Sequence, residues 1–258
     1  MDLSNNEVIH VKKDGIEYLQ FRRLLQYKGL VHAYSLKPID IKGKTKDDES
    51  FVKLCNALGL DNTKIVAPIQ THTNTVEVAL EDSKSSDFDN VDGLVTSVKN
   101  KVLSACFADC NSLFLYDPVK NVIGNIHSGW RGTVAKIGKV AVHKMIDEFG
   151  CNPKDIICCT GPSIRACHFE VEDDVKNIFM EVFHNDEALV KKSAIKDGKQ
   201  KYYIDCILAI KKTLIDCGLI DENIVDCGIC TVCNSNVLHS YRTLFDKAGR
   251  NCSLMSLV

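Results

Sequence analysis

Six short apolar runs between residues 64 and 127 constrain the fold more than any other feature of this sequence. Several are rich in β-branched residues, and each is bounded by Asp, Gly, Asn or Pro, the pattern of short strands separated by turns. The runs are KIVAP, TVEVAL, GLVTS, KVLSACFADC, SLFLYD and VIGNIH. So many strand-like runs in one stretch predict the body of a β-sheet.

Helical spacing of apolar residues is found around these runs. The clearest helix begins after Gly132, keeps Ile137, Ala141 and Met145 on one face, and ends at Gly150. Further helices are predicted at Asp47 to Leu60, Val171 to Phe183 and Ile207 to Ile215. Further strands are predicted at 158–162, 224–231 and 253–258, and a solvated loop at 191–201. This order predicts an α+β fold: a single-domain α/β sandwich over residues 1–258, with mixed sheets covered by helices.

Composition excludes several classes of function. Apolar residues make up 45% of the chain, and 32 basic residues against 34 acidic ones give a net charge of -2. Because this balance offers no surface for a polyanion, nucleic acid is not an expected partner. The first residues lack the apolar core of a signal peptide, and no apolar run reaches the length of a membrane span. We expect a cytoplasmic protein without a membrane partner, and the sequence does not indicate its oligomeric state.

Thirteen cysteines are an unusually high number for such a chain. The number is odd, and several lie inside apolar runs such as DIICCTG, where cysteine behaves as a small hydrophobic residue. Most are therefore expected to be buried and reduced.

The segment VIGNIHSGWRGTVAKIG offers the first candidate site. A strand is predicted to carry His127, followed by a turn over 128–132 and a helix that starts at Thr133. The unpaired N–H groups of that helix and the guanidinium of Arg131 would suit an anion. The alternative is that the glycines only form the turn and that Arg131 is only a surface charge.

The segment SACFADCNSLFLYDP offers the second. Strand alternation places Cys106, Ala108 and Cys110 on one face, so that Cys110 would emerge at the strand end beside Asp109. A thiolate there could bind a metal or act as a nucleophile, and an inert buried cysteine is the alternative.

His72, in the polar segment IQTHTNTV, completes a set of metal-binding residue types. Two imidazoles and one thiolate are good zinc ligands, and three protein ligands leave a fourth position open, as in catalytic sites. Cys110 follows His72 by 38 residues and precedes His127 by 17, so spacing alone does not identify this site.

Six segments, in order, resemble the motifs of the laccase-domain family, also called multicopper polyphenol oxidase or YfiH-like. They are IQTHTNTV, DGLVT, FADCNSLFLYDP, IHSGWRGTVAKIG, GPSIRACHFEV and HSYRTLFDKAGR. The resemblance runs from about Ile65 to the C-terminus. It implies an α/β sandwich, a Zn²⁺ ion held by His72, Cys110 and His127, and activity on purine nucleosides. The implied reactions are phosphorolysis of adenosine, inosine, guanosine or methylthioadenosine with inorganic phosphate, and deamination of adenosine.

The implied activity on purine nucleosides suggests roles for the remaining site residues. Cys110 and His127 would belong to the catalytic centre, Asp109 would transfer a proton, and Arg131 would bind phosphate. Gln70, Tyr241 and Arg242 are the candidate substrate contacts.

The sequence departs from the family pattern in two places. HAYSLKPIDIKG stands where members have a Thr-Arg-x-Gly-Gly type turn, and Tyr241-Arg242-Thr243 stands where they have a second arginine. Arg250 is kept, so anion binding is expected to be differently placed in this chain.

Other features of the sequence bear on three alternative functions. A blue-copper oxidase is not expected, because the eight histidines include no His-x-His pair. A cysteine hydrolase of the peptidoglycan-editing type would use Cys110 as nucleophile and His127 as base, oriented by Asp109.

The third is a non-enzymatic iron–sulfur or zinc module built on CGICTVC. Cys227, Cys230 and Cys233 have suitable spacing, but they lack a nearby fourth ligand and lie in a predicted strand that would alternate their faces.

Overall fold

Two six-stranded mixed sheets face each other across the largest apolar core. The structure is a computed structural model that describes residues 1–41 and 48–258. Its strands are β1 Val8–Lys13, β2 Ile16–Phe21, β3 Leu30–Ser35, β4 Ile65–Val66, β5 Val76–Val78, β6 Gly93–Thr96, β7 Val102–Phe107, β8 Asn111–Asp117, β9 Val122–Ser128, β10 Ile157–Thr160, β11 Glu170–Val171, β12 Val190–Lys196, β13 Lys199–Ile204, β14 Ile224–Asp226 and β15 Asn251–Leu257. Its α-helices are α1 Glu49–Leu58, α2 Trp130–Val134, α3 Ile137–Phe149, α4 Asp173–Val182, α5 Cys206–Asp216 and α6 Tyr241–Leu244.

The first sheet has the order β1-β2-β3-β15-β7-β4, and the second has the order β14-β10-β8-β9-β6-β5. Strands β8 and β9 form an antiparallel pair at the centre of the second sheet, with Ser112 opposite His127. Every residue of both strands is buried, because the sheet is covered on each face. This pair therefore provides a rigid base for the segments that precede β8 and follow β9.

Helices cover the outer faces of the sandwich. Phe51 and Leu54 of α1 pack on the first sheet, while Ala141 of α3 and Leu214 of α5 pack on the second. A third sheet, β11-β13-β12, forms a separate apolar cluster with α4 and the start of α5. The predicted sandwich of mixed sheets covered by helices is confirmed.

The predicted helix at Asp47 to Leu60 is observed as α1, although Asp47 lies outside the described residues. Asp48 caps it by accepting a hydrogen bond from the Ser50 N–H at 2.8 Å, and Gly59 ends it in the left-handed conformation. The helix predicted from Val171 begins at Asp173, because Val171 belongs to β11.

The prediction of a solvated loop at 191–201 is wrong. The segment forms the β12–β13 hairpin, whose turn residues Asp197 and Gly198 have φ values of 52° and 73°. Both positive angles match the two-residue turns that suit the twist of paired strands. The charged side chains stay solvated because β12 is an edge strand.

Two further boundaries differ from the sequence-based prediction. The strand predicted over 224–231 ends at Asp226, and a series of turns follows from Thr231. The turn predicted over 128–132 is largely helical, since β9 includes Ser128 and α2 already begins at Trp130.

None of the helices within the described ranges 1–41 and 48–258 has both the length and the apolar character needed to cross a membrane.

Candidate metal centre

Three side chains that are far apart in the sequence converge at one end of the β8–β9 pair. The donor atoms of His72, Cys110 and His127 all lie within 4.8 Å of one another. His72 Nε2 is 3.7 Å from Cys110 Sγ, and the two imidazole rings meet edge to face at a centroid distance of 4.9 Å. The structure thus brings together all three predicted metal ligands.

His127 is the most firmly placed of the three because it is part of β9. Its ring is buried, and Nδ1–H donates to Asp92 Oδ1 at 2.7 Å. That hydrogen bond fixes the tautomer and leaves Nε2 for the cluster.

His72 lies in a loop with a positive φ of 65°. The same Asp92 carboxylate holds this loop, since it accepts from the backbone N–H groups of Thr71, His72 and Thr73 at 3.2, 3.1 and 2.8 Å. Asp92 therefore positions two of the three candidate ligands at once. No local sequence pattern identifies Asp92, because it follows His72 by 20 residues and precedes His127 by 35, so only the fold reveals the contact.

Cys110 immediately precedes β8. The strand predicted to carry it ends three residues earlier, at Phe107, and Asp109 takes a positive φ of 87° in the intervening turn. This turn, rather than strand alternation, brings the thiol to the cluster.

Gly129 makes room for the ligands. A Cβ added to its backbone would lie 2.7 Å from His72 Cδ2 and 3.4 Å from Cys110 Sγ. The backbone at residue 129 thus comes close to both candidate ligands, an approach that a side chain there would obstruct.

The three side chains have strongly coupled charges. Burial raises the pKa of Cys110, but the neighbouring His127 and His72 rings lower it to about 6. Burial lowers the pKa of His127, whereas the Cys110 thiolate and Asp92 raise it to about 9. Burial also raises the pKa of Asp92, yet hydrogen bonds from His127 and Thr73 bring it well below its usual range. The thiolate form, which is the form that binds metals, is favoured at neutral pH.

The cluster forms part of the wall of a cavity of about 580 Å³. Its lining includes the apolar residues Ile164, Phe169, Val171 and Val175 and the three arginines Arg131, Arg242 and Arg250. A cavity of this size, apolar with a few converging polar groups, is typical of sites for small molecules.

All of the remaining predicted site residues, Gln70, Asp109, Arg131, Tyr241 and Arg242, line the same cavity. Gln70 is tied to the edge of β7: its amide donates to the Cys106 carbonyl at 3.0 Å and accepts from the Cys106 N–H at 2.9 Å. Tyr241 is exposed, and the Arg131 guanidinium stacks on Trp130 at 4.3 Å. Their roles as substrate contacts stay predictions.

Asp109 is held by two segments that are distant in sequence. Its Oδ1 accepts from the Thr231 hydroxyl at 2.5 Å, and its Oδ2 accepts from the Arg242 N–H at 2.6 Å. These bonds give Asp109 a positioning role, and its role in proton transfer stays a prediction. The hypothesis that Asp109 orients His127 is wrong, because Asp92 occupies that position.

Comparison with known proteins identifies the family. The family model described as multi-copper polyphenol oxidoreductase laccase matches residues 35–258. The chain belongs to this laccase family. Among curated relatives, the purine nucleoside phosphorylase YlmD of Bacillus subtilis is 33% identical over 195 residues, covering 73% of this chain and 69% of YlmD. Adenosine deaminase RL5, from an unknown prokaryotic organism, is 32% identical over 204 residues, covering 76% of each chain.

The laccase-family fold also extends over nearly the whole chain. The crystal structure of the hypothetical protein YfiH of Bacillus licheniformis superposes with a TM-score of 0.86 at 24% identity, and the match covers 98% of this chain and all of that one. A second crystal structure, of YlmD from Geobacillus stearothermophilus, gives a TM-score of 0.83 at 21% identity, with coverage of 97% and 99%. These two structures support the fold.

The lowered pKa of Cys110 leads to a chemical prediction. In metal-free protein, iodoacetamide should alkylate Cys110 at a rate that levels off above pH about 6, because the thiolate is lost only as the pH falls through that value. The exposed thiol of Cys167, whose pKa burial and neighbouring thiols raise to about 12, is the internal control and should react slowly. Peptide mass mapping across a pH series measures both rates. A Cys110 rate that keeps rising to pH 9 would contradict the coupling described above.

Proposed function

We propose that this protein is a zinc-dependent purine nucleoside enzyme. Its reactions are phosphorolysis of adenosine, inosine, guanosine or methylthioadenosine, and deamination of adenosine. The observation that carries the proposal is the convergence of His72, Cys110 and His127 on a cavity with an apolar wall and three arginines. The names of the relatives YlmD and RL5 support the same chemistry.

The donor set fits zinc. A tetrahedral zinc ion with Zn–S of about 2.3 Å and Zn–N of about 2.0 Å holds its sulfur and nitrogen ligands about 3.5 Å apart. The distance of 3.7 Å between Cys110 Sγ and His72 Nε2 is close to that value. Because the protein supplies three ligands, one position stays open, and zinc bound there supplies Lewis acidity at the cavity wall.

The apolar wall suits the purine ring. Ile164, Phe169 and Val175 bury a flat aromatic base without requiring hydrogen bonds from it. Asn111 lines the cavity as well; its Nδ2 donates to the Ser128 carbonyl at 2.9 Å, and its buried Oδ1 has no hydrogen-bond partner among the described residues.

The arginines suit phosphate. In phosphorolysis, a phosphate oxygen forms a bond to the ribose C1′ while the bond from C1′ to the purine nitrogen breaks, giving ribose 1-phosphate and the free base. Arg131, Arg242 and Arg250 bring positive charge to the cavity. The sequence predicted an anion site at free N–H groups of a helix that starts at Thr133. Thr133 instead lies inside α2, so phosphate binding is assigned to the guanidinium groups.

The proposal is tested by product analysis. Adenosine incubated with the zinc-loaded protein should yield adenine and ribose 1-phosphate when phosphate is present, and inosine and ammonia when water reacts instead. The Cys110→Ala variant should form neither set of products, whereas Cys217→Ser, a half-buried cysteine outside the cavity, should match the wild type. Zinc-loaded wild type that converts none of the four nucleosides would refute the proposal.

One observation favours a second candidate, a cysteine hydrolase. Asp92, His127 and Cys110 form a chain in which a carboxylate orients an imidazole beside a thiolate whose pKa is about 6. A thiolate committed to zinc is a poor free nucleophile, so the two functions differ in metal content. A metal-free protein that forms an acyl-enzyme at Cys110 would favour the hydrolase.

The role of Arg131 is tested by substitution. We expect Arg131→Ala to raise the KM for phosphate about tenfold, the loss of one charge-assisted hydrogen bond, and to leave deamination of adenosine nearly unchanged. Arg22→Ala is the control, because the Arg22 guanidinium donates to the Asn5 carbonyl and is not part of the cavity. Steady-state kinetics with phosphate as the varied substrate separates the two reactions. Equal losses in phosphorolysis and deamination would argue against phosphate binding by Arg131.

A further inference from the structure

A second cluster of metal-binding residue types lies outside the proposed centre. The donor atoms of Cys167, His168, Cys230 and Cys233 all lie within 4.8 Å of one another. The first two belong to the segment before β11; of the other two, which follow β14, Cys230 forms an isolated β-bridge with Ser163 and Cys233 lies in the turns after it. Cys227, the third cysteine of the CGICTVC segment, is not a member, because its sulfur instead accepts a hydrogen bond from the Arg165 guanidinium at 3.4 Å.

The distances match the edges of a tetrahedron around one zinc ion. Such a tetrahedron has edges of about 3.8 Å between two sulfurs and about 3.5 Å between sulfur and nitrogen. Cys167 Sγ and Cys233 Sγ are 3.9 Å apart. His168 Nδ1 lies 3.2, 3.6 and 3.5 Å from the sulfurs of Cys167, Cys230 and Cys233.

We propose that Cys167, His168, Cys230 and Cys233 bind a second zinc ion, in a closed structural site of the Cys₃His type. Four protein ligands fill the coordination sphere, which distinguishes this site from the three-ligand centre at His72, Cys110 and His127. An iron–sulfur cluster fits less well, because a polynuclear cluster holds its protein ligands farther apart than a single ion does, and the described donor atoms are closely spaced.

The site would fix one side of the proposed nucleoside cavity. Thr231, next to Cys230, donates to Asp109, and the Arg242 guanidinium donates to the His168 carbonyl at 3.0 Å. Phe169, which follows His168, lines the cavity. The second zinc thus joins two chain segments that hold Asp109 and Arg242 in place, a structural role that does not depend on which reaction the cavity performs.

Metal analysis of protein purified without chelators tests the proposal. We expect two zinc ions per chain in the wild type, one in Cys233→Ser, one in Cys110→Ala and none in the double variant. Cys233 is exposed, so serine at this position does not disturb a core, and Cys217→Ser is the matched control that should keep two. A zinc count that is the same in Cys233→Ser as in the wild type would overturn the second site. So would a Cys167–Cys233 disulfide found by peptide mapping of the unreduced wild type, because it would remove two of the ligands.

Cobalt substitution identifies the ligands independently of activity. In the Cys110→Ala background, one Co²⁺ per chain should give a thiolate-to-metal charge-transfer band about three times as intense as the single-thiolate site retained in Cys233→Ser. Comparable intensities would contradict a site with three thiolates. Because both readouts count metal and sulfur, they stay informative even if no nucleoside is turned over.

Discussion

Replacing Gly129 by alanine should weaken zinc binding at the His72–Cys110–His127 centre about a hundredfold, although no donor atom is removed. The new methyl group would lie 2.7 Å from a ring carbon of His72 and 3.4 Å from Cys110 Sγ, so the imidazole has to shift. The backbone is not the cause, since φ of -67° and ψ of 172° are accessible to alanine. A competition titration with a chromophoric chelator measures the affinity, and adenosine turnover should fall in parallel.

Gly138→Ala is the matched control. A Cβ at this helical position meets its nearest atom, Leu214 Cδ2, at 3.4 Å, an ordinary contact. Alanine is favoured over glycine inside a helix by about 1 kcal/mol, so zinc affinity should be unchanged and stability slightly higher. Wild-type zinc affinity in Gly129→Ala would mean that the ligands are not packed against residue 129.

The Asp92→Asn variant should lose about 3 kcal/mol of unfolding free energy and bind zinc about 10- to 100-fold more weakly. Asp92 is fully buried and accepts hydrogen bonds from Thr71, His72, Thr73 and His127. Asparagine keeps one acceptor oxygen and turns an NH₂ group toward the other donors. The loop that carries His72 and the ring of His127 would then both lose their orientation.

Asp117→Asn provides the comparison for a buried aspartate. Asp117 Oδ1 accepts the N–H groups of Val119 and Lys120 in a turn at the end of β8, and an asparagine oxygen can replace it. Urea denaturation of the metal-free proteins measures the stability change without the contribution of metal binding. Equal destabilisation at both positions would contradict a special role for Asp92.

The fold could be predicted to the extent that local patterns determine it. The strands β6, β8 and β9 follow from short apolar runs and lie where the sequence placed them. Helix α3 ends at Gly150 as predicted but begins at Ile137 rather than at Thr133, because Lys136 takes a left-handed φ of 56° and separates it from α2. The β12–β13 hairpin was missed because its side chains are charged on both faces. Asp197-Gly198 was the available signal, since this pair favours the two-residue turns of hairpins.

The candidate metal centre could not be predicted from local sequence patterns. His72, Cys110 and His127 were identified through family resemblance, because their separations form no chelating motif. Asp92, which orients the cluster, ends a loop just before β6, and nothing local links it to His127. In the same way, CGICTVC suggested a metal site, but its partners Cys167 and His168 lie more than 60 residues away and meet it only after folding.

The position of β15 in the first sheet affects how the chain reaches its native state. This strand lies between β3 and β7, pairing Leu254 with Ala33 on one side and with Ser104 on the other. The first sheet therefore stays divided into two unpaired halves until the last strand has left the ribosome. Such distant pairings slow folding and expose strand edges in the meantime, so chaperone binding during synthesis should protect the edges of β3 and β7 above all.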